Sequence, residues 1–372
     1  MELYIGIMSG TSMDGIDVAL VDLTKNEFLY GMTCPYSLDV KARLRESIAM
    51  QPHDLGYFSQ LHTLLGREFA NAVLLLLEKS NHSAQNIIAI GSHGQTLCHN
   101  TMTDIPYTVQ LGCAHTIAEM TGITVVADFR TRDLVVGGQG APFAPVYHQA
   151  IFKDFGYPLA VVNIGGIANL TYLKDEFNVC GFDVGPGNCL MDAWIYQHLK
   201  QDYDQNGNWA SQGNVIEPLL NDLLQDPYLL RTSPKSIGRE YFSLEWLSKY
   251  CHSEYKPVDI QATLLQLTAV SIATSINTKS AKPKHLFVCG GGAHNQLLLK
   301  ELAQLLPQVP VLSTQAVNCN PDFIEALMMA WLADKTLNQV PLDLKAITGA
   351  NYPAILGVIY PAGIDKRNSL AV

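Results

Sequence analysis

The sequence predicts an α/β fold built from two related halves. Strand-like apolar runs alternate with amphipathic helical segments along the whole chain. A unit of strand, glycine-containing turn and strand also occurs twice, the two starts lying about 155 residues apart. The length of 372 residues gives room for two or three domains at roughly 150 residues each.

The first unit is a buried strand over residues 3–8, a loop of small residues from Ser9 to Gly15, and a second strand from Ile16 to Val21. Its counterpart runs over residues 159–172, with Gly165 and Gly166 at the turn. Between them the periodicity predicts a helix over 59–79 and strands over 86–90, 107–110 and 123–126. Later come helices over 188–200, 214–224, 259–278, 295–306 and 323–337, and strands over 179–182, 285–289 and 309–312. The segment 135–142, with three glycines and Pro142, reads as a hinge, and a second boundary lies near Pro341. The expected domains are therefore 1–135 plus roughly 345–372, and 136–344.

Composition narrows the function classes. Apolar residues make up 48% and charged residues 16%, enough core material to exclude a disordered or coiled-coil chain. A net charge of −10 argues against a broad phosphate-seeking field of the kind a nucleic-acid binder needs. The longest apolar stretches fall far short of the ~20 residues of a membrane span, and no basic segment leads into an apolar one at the start. The eight cysteines contain no Cys-x-x-Cys pair, so reduced thiols in the cytoplasm are expected rather than a zinc site. His99 and His115 read as structural.

Three glycine clusters carry most of the information. Besides the two hairpin turns, Gly290, Gly291 and Gly292 follow an apolar strand and precede Asn295 and a helix. Glycine admits close approach of a ligand to the backbone, and a helix start offers unpaired amides. A single cluster of this sort is most simply a tight loop; three in one chain favour a nucleotide held from several sides. No Gly-Lys-Ser/Thr sequence is present, which excludes a Walker-type loop, and no Gly-x-Gly-x-x-Gly follows a strand, which argues against a dinucleotide-binding unit.

These clusters resemble the arrangement of the actin, Hsp70 and sugar-kinase superfamily. More narrowly, residues 6–17, 91–96, 128–130, 137–142, 163–169, 182–188 and 290–295 are similar, in family order, to the motifs of the anhydro-N-acetylmuramic acid kinases. The first of these motifs and the run from Gly185 to Asn188 are specific; the three glycines alone are not. Val184 stands where the family pattern has Thr, a change expected to touch packing more than chemistry. The resemblance implies two duplicated actin-like (ribonuclease H-like) domains with an ATP cleft between them. It also implies a cytoplasmic homodimer of peptidoglycan recycling that uses ATP and Mg²⁺. The enzyme would open 1,6-anhydro-N-acetylmuramic acid with water and phosphorylate the released O6, giving N-acetylmuramic acid 6-phosphate.

Site residues follow from the resemblance and from local chemistry. Asp183, placed at the end of strand 179–182, is the expected general base for the attacking water; alternatively it bonds turn amides, with Asn188 capping the next helix. ATP is expected at Ser9, Gly10, Thr11, Ser12, Met13, Asp14, Gly15, Ile16 and Asp17, at Asn163, Gly165 and Gly166, and at Gly290, Gly291, Gly292 and Asn295. Asp17 is the candidate for Mg²⁺, which usually takes one or two carboxylates plus phosphate oxygens. Asp14 reads equally well as a plain turn residue. The sugar is expected at His93, Asp128, Arg130, Gly187, Asn188 and Glu325, with Arg130 gripping a carboxylate through its fork. Against this stand an Asp128–Arg130 ion pair, a loop histidine at 93, and a helix-dipole role for Glu325. Leu327, Met328 and Trp331 are core or a dimer face. The rival functions are an actin- or Hsp70-like ATPase binding module, a silent sugar sensor, and a kinase for another sugar.

Overall fold

A computed structural model describes residues 1–10, 13, 15–48, 55–233, 235–238 and 240–363. Contacts divide the chain into two compact units, residues 1–147 with the segment from 323 onward, and residues 148–322. These divisions lie away from the expected 135/136 and 344/345.

Unit 1 is built on strands β1 (Leu3–Ser9), β2 (Ile16–Asp22) and β3 (Glu27–Cys34), followed by helices α1 (Leu38–Ile48) and α2 (Leu55–Ser80). Then come β4 (Ile87–Asn100), β5 (Tyr107–Leu111), α3 (Ala114–Thr121), β6 (Val125–Ala127), α4 (Phe129–Val135) and the start of α5 (Ala144–Phe152). The sheet runs β12-β6-β4-β1-β2-β3, with β5 added to β4. In it β1, β2 and β3 form an antiparallel meander, while β4 and β6 lie parallel to β1.

Unit 2 begins within α5 and contains β7 (Leu159–Ile164), β8 (Ile167–Leu173), β9 (Val179–Pro186), α6 (Cys189–Leu199), α7 (Glu217–Leu224) and α8 (Leu244–Ser248). It continues with α9 (Pro257–Asn277), β10 (Leu286–Cys289), α10 (Gln296–Leu305) and β11 (Val311–Ser313). Its sheet order is β11-β10-β7-β8-β9, again an antiparallel meander (β7, β8, β9) followed by two parallel strands. One plan is thus used twice, β3-β2-β1-β4-β6 and β9-β8-β7-β10-β11, which is the duplicated actin-like α/β architecture expected from the sequence. Val184 is fully buried in the unit 2 core, beside Leu190 and Tyr228 among others.

The chain then returns to unit 1 as α11 (Ile324–Leu337), α12 (Lys345–Thr348) and β12 (Val358–Tyr360). Gly6 of β1 and Gly91 of β4 are cross-strand partners. A Cβ on Gly6 would stand 1.7 Å from the Ala326 carbonyl oxygen, and one on Gly91 1.9 Å from that of Met329. Helix α11 therefore rests on the sheet with no side chain between the backbones. That seat draws residues 323–344 into unit 1, ahead of the expected boundary. Leu327, Met328 and Trp331 of α11 are buried as core.

The segment 135–142 is stitched down rather than hinged. Asp133, fully buried, accepts hydrogen bonds from the Gly140 amide (2.6 Å) and the Thr348 hydroxyl (2.8 Å), and the Gly138 amide donates to its carbonyl (2.8 Å). Helix α7 starts at Glu217, not 214, because the Asn214 and Ile216 amides donate to Asp259 and Thr263 of α9. Strand β4 extends well past residue 90, so His93 and Gln95 belong to a strand and not a loop. Asp183 lies inside β9, beside a bulge at Ala168/Asn169, rather than at a strand end.

The α11 seat gives a direct test. Gly91→Ala should lower the unfolding free energy by about 3 kcal/mol or more, since neither backbone can withdraw without unpairing. Urea denaturation that places the variant within about 0.5 kcal/mol of the parent would show that the helix can lift off the sheet at little cost.

Candidate active site

The expected site residues fall into two groups, one in each unit. In unit 1 the end of β1 and the start of the following loop are fastened from below. The Tyr36 hydroxyl meets Ser9 Oγ at 2.5 Å, Ser9 Oγ donates to Gln95 Oε1 at 2.6 Å, and Gln95 Nε2 donates to the Gly10 carbonyl at 3.2 Å. Ser9 is buried, so its hydroxyl is spent on this network. The Met13 amide closes a turn onto the Gly10 carbonyl, and Met13 itself holds a left-handed φ of 55°. Ile16 is core, and Gly15 packs against Thr33 and Cys34. Thr11, Ser12 and Asp14 lie outside the described residues.

A charged group forms around Arg130. Its Nε and Nη2 both donate to His93 Nε2, at 3.0 and 2.9 Å, and Nη1 donates to the Gly140 carbonyl at 2.8 Å. His93 Nδ1 in turn lies 2.7 Å from the Gly94 carbonyl, so that nitrogen carries the proton and Nε2 is the acceptor. Burial first, and Arg130 second, push His93 down to about 3. The imidazole is therefore a neutral prop for a half-buried guanidinium. Asp128 does not take that role. It sits in a left-handed conformation (φ 57°) at the start of α4 and accepts from the Thr131 amide. Glu325, at the start of α11, is raised by burial and by Asp17, with Arg130 opposing. Asp17 Oδ1 accepts from the Thr33 hydroxyl at 2.6 Å. His99 meets Thr108 and His115 stacks edge-on with Tyr360, both of them structural contacts.

In unit 2 the β7–β8 turn is locked from one side and open on the other. The Gly187 and Cys189 amides donate to the Gly166 carbonyl, and the Asn188 amide donates to that of Gly165. Gly187 is required there, since its Cβ would fall 2.3 Å from the Gly165 oxygen. Over Gly165 and Gly166 themselves, a Cβ would meet nothing closer than 3.8 Å. Packing in the fold leaves room for a Cβ there, and the sequence leaves that surface bare. The third cluster divides in the same manner. Gly290 (φ 75°) and Gly292 press against Asn163 and Ile164 of β7, whereas a Cβ on Gly291 would reach only Asn188 Nδ2 at 3.5 Å. Asn295 caps α10 through the Leu298 amide. Asn188 was expected to cap α6; its side chain instead donates to the Ile164 carbonyl at 3.0 Å, bracing the β7 end.

Asp183 is half-buried beside this turn's strand pair. Its Oδ2 accepts from the Ile237 amide at 3.0 Å, its own amide donates to the Lys235 carbonyl at 3.0 Å, and its carbonyl accepts from the Tyr228 hydroxyl at 2.9 Å. Burial raises its pKa, while the Ile237 amide, the Ser236 hydroxyl and the Lys235 charge pull the other way, and the net shift is upward. The carboxylate is thus held in place while its affinity for a proton is increased, the combination a general base requires. Tyr228, Lys235, Ser236, Ile237, Tyr36 and Gln95 were not singled out from sequence. Gln95 belongs to a recognised motif; the residues around 228–237 show no periodicity that would mark them.

An Mg²⁺ ion that travels with a nucleotide fills its shell largely with phosphate oxygens and water. Asp17 and the neighbouring Glu325 offer carboxylate oxygens of that kind. Among the described residues no group of three or more His, Cys, Asp or Glu could enclose a metal. The donor set fits an ion shared with phosphate and not a closed protein cage.

The family model described as anhydro-N-acetylmuramic acid kinase matches residues 2–362. A curated relative of that name from Legionella pneumophila (strain Paris) is 57% identical over 361 residues, covering 97% of this chain and 99% of the relative. One from Coxiella burnetii (strain Dugway 5J108-111) is 45% identical over 362 residues, covering 96% and 97%. Among solved structures, the activator of the 2-hydroxyisocaproyl-CoA dehydratase from Clostridium difficile aligns with a TM-score of 0.47 at 11% identity, covering 92% of this chain and 99% of that one. A likeness so distant carries no weight here. Among the described residues no helix is long and apolar enough to cross a membrane.

The His93–Arg130 pair should leave a spectroscopic mark. Nitrogen NMR of labelled histidine should show His93 as the neutral Nδ1–H tautomer from pH 8 down to 5. Because its folded pKa lies below the unfolded value near 6.5, the pair's contribution to stability is present above that pH. It is lost on acidification toward about 3, at about 1.4 kcal/mol per pH unit. An imidazolium signal for His93 at pH 6 would refute the assignment.

Proposed function

The chain belongs to the anhydro-N-acetylmuramic acid kinase family, and we propose that Asp183 is the general base of its reaction. The enzyme is a sugar kinase: ATP and water convert 1,6-anhydro-N-acetylmuramic acid into N-acetylmuramic acid 6-phosphate and ADP. The observation that carries the assignment of the base is the carboxylate itself, half-buried, raised in pKa and pinned by the Ile237 main-chain amide.

In this reading Asp183 takes a proton from the water that attacks the anomeric carbon. The C1–O6 bond breaks, and the O6 so released accepts the γ-phosphoryl group. General-base catalysis of such a step typically contributes about 10²–10⁴-fold. Gly165 and Gly166 receive nucleotide phosphate on their bare surface, and Gly291 lies on the nucleotide too. Gly290, Gly292 and Asn295 act beneath it, through packing and capping. Asn163, Gly187 and Asn188 hold the turn in shape, and Asn188 also borders the sugar.

Unit 1 contributes its own part. Gly10 and Met13 of the first hairpin loop meet phosphate, with Ser9 and Ile16 beneath them in the packing and Asp17 holding Mg²⁺, which when bound screens the phosphate charge. Arg130 receives the sugar's carboxylate. Three of its five N–H groups are already given to His93 and Gly140, which fixes the plane of the fork before the ligand arrives. Glu325 and Asp128 border the same sugar. Family resemblance supports extending the reading to a cytoplasmic homodimer acting in peptidoglycan recycling.

Two measurements separate the roles. Asp183→Asn should cut product formation by at least about 10²-fold while ATP affinity stays within about threefold; near-normal turnover would remove Asp183 from the chemistry. Gly166→Ala should leave the melting temperature nearly unchanged, because the fold has room for the added Cβ, yet weaken nucleotide binding by about tenfold or more. Unaltered affinity by calorimetry would count against the turn as a phosphate cradle.

A further inference from the structure

We propose that Lys235 is a positioning residue for Asp183, fixing the strand that bears the carboxylate through its main chain and sustaining the carboxylate's charge through its ammonium. The inference rests on the reading of Asp183 as the general base. The geometry that carries it is a closed set of bonds between β9 and the segment around residues 228–237. The Lys235 carbonyl accepts the Asp183 amide at 3.0 Å, and two residues on, the Ile237 amide donates to Asp183 Oδ2 at 3.0 Å. The peptide segment therefore grips both the backbone and the side chain of one residue.

The lysine side chain is fixed as firmly. Its Nζ donates to the Tyr228 and Leu229 carbonyls at 3.3 and 3.4 Å and lies 4.7 Å from the centre of the Tyr228 ring. Tyr228 closes the circuit with its hydroxyl on the Asp183 carbonyl. An ammonium on a flexible stem ordinarily wanders; here two carbonyls and an aromatic face hold it within the segment that clamps Asp183.

Among the described residues, the other charged and titratable groups nearby are Arg231, Asp226, Tyr228 and Glu240. Arg231 and Asp226 act on Lys235 in opposite senses, and Arg231 lies 5.9 Å from the Tyr228 ring. Asp226 is occupied by the Tyr241 hydroxyl, the Trp246 indole N–H and the Tyr228 amide. Tyr228 stays protonated, its ionisation opposed by burial and by Asp183. Glu240 borders Gly238 and shares no resolved interaction with Asp183. Among the described residues Lys235 is the cation that favours the ionised carboxylate, against a burial that favours the acid. Removing it must move the Asp183 titration upward.

The test is the pH dependence of kcat/KM for the anhydro sugar in the parent enzyme and in Lys235→Met, Lys235→Gln and Lys235→Arg. The first two should move the acid limb to higher pH by about one unit, with nucleotide affinity kept, and Lys235→Arg should bring it back. Carbon NMR of carboxyl-labelled aspartate, with the Asp183 signal identified by its loss in Asp183→Asn, should report the same displacement without turnover. Lys235→Gln retains a polar stem and serves if Lys235→Met does not fold. An acid limb and a carboxyl midpoint that stay put in a folded variant, while Asp183→Asn is inactive, would overturn the role of Lys235 alone. Activity retained by Asp183→Asn would instead overturn the reading beneath it.

Discussion

Half-burying a carboxylate is unfavourable unless main-chain donors meet it, and unit 2 is organised around meeting one. Asp183 sits within β9, where the alternation of the strand would otherwise alternate core and solvent. A bulge opposite it, the Ile237 amide on Oδ2, and the Lys235 carbonyl on its amide hold it in place. Desolvation then raises its proton affinity without releasing it. The adjoining turn at Gly165 and Gly166 is kept in shape by three amides of the segment leading into α6. The same short stretch, from Asp183 to Cys189, thus supplies both the held carboxylate and the support of the turn.

Glycine does two opposite things in this chain. Gly6, Gly91, Gly187, Gly290 and Gly292 are places where backbone or core atoms occupy the space of a Cβ, so that a helix or turn can close on a strand. Gly165 and Gly166 have that space to spare. Sequence reasoning located the clusters but could not sort them, because a triplet such as 290–292 looks uniform until its neighbours are known. The structure assigns two of its members to packing against β7 and leaves one more open.

How far the sequence reached follows from the range of the forces involved. Local periodicity gave β1, β2, β7, β8 and the start of β9, and the long helices, as with α9 and α11, because burial of one face is written into neighbouring residues; it passed over β3 (Glu27–Cys34), whose residues are mostly only partly buried. It stopped short in β4, where Ser92, His93 and Gln95 are polar yet buried, Gln95 with β1 on one side and β5 on the other. It also placed Asp183 at a strand end, since Gly185 and Pro186 read as a turn though they complete β9. The partners that tune the site lie far along the chain: Lys235 and Ile237 against Asp183, and His93 against Arg130. No local pattern encodes such pairs. The Asp128–Arg130 ion pair suggested by adjacency gave way to histidine and a carbonyl for the arginine, and a helix cap for the aspartate.

The proposed chemistry requires that water attack the anomeric carbon while the phosphoryl group is taken by the O6 that leaves it. Single-turnover reaction in oxygen-18 water, quenched before the anomeric hydroxyl exchanges, tests this most directly. Attack by an Asp183-activated water predicts the label in the C1 hydroxyl of the product, and no isotope-shifted phosphate by phosphorus NMR. Label in the oxygen joining C6 to phosphorus, or in the transferred phosphoryl group, with an unlabelled C1 oxygen, would contradict it.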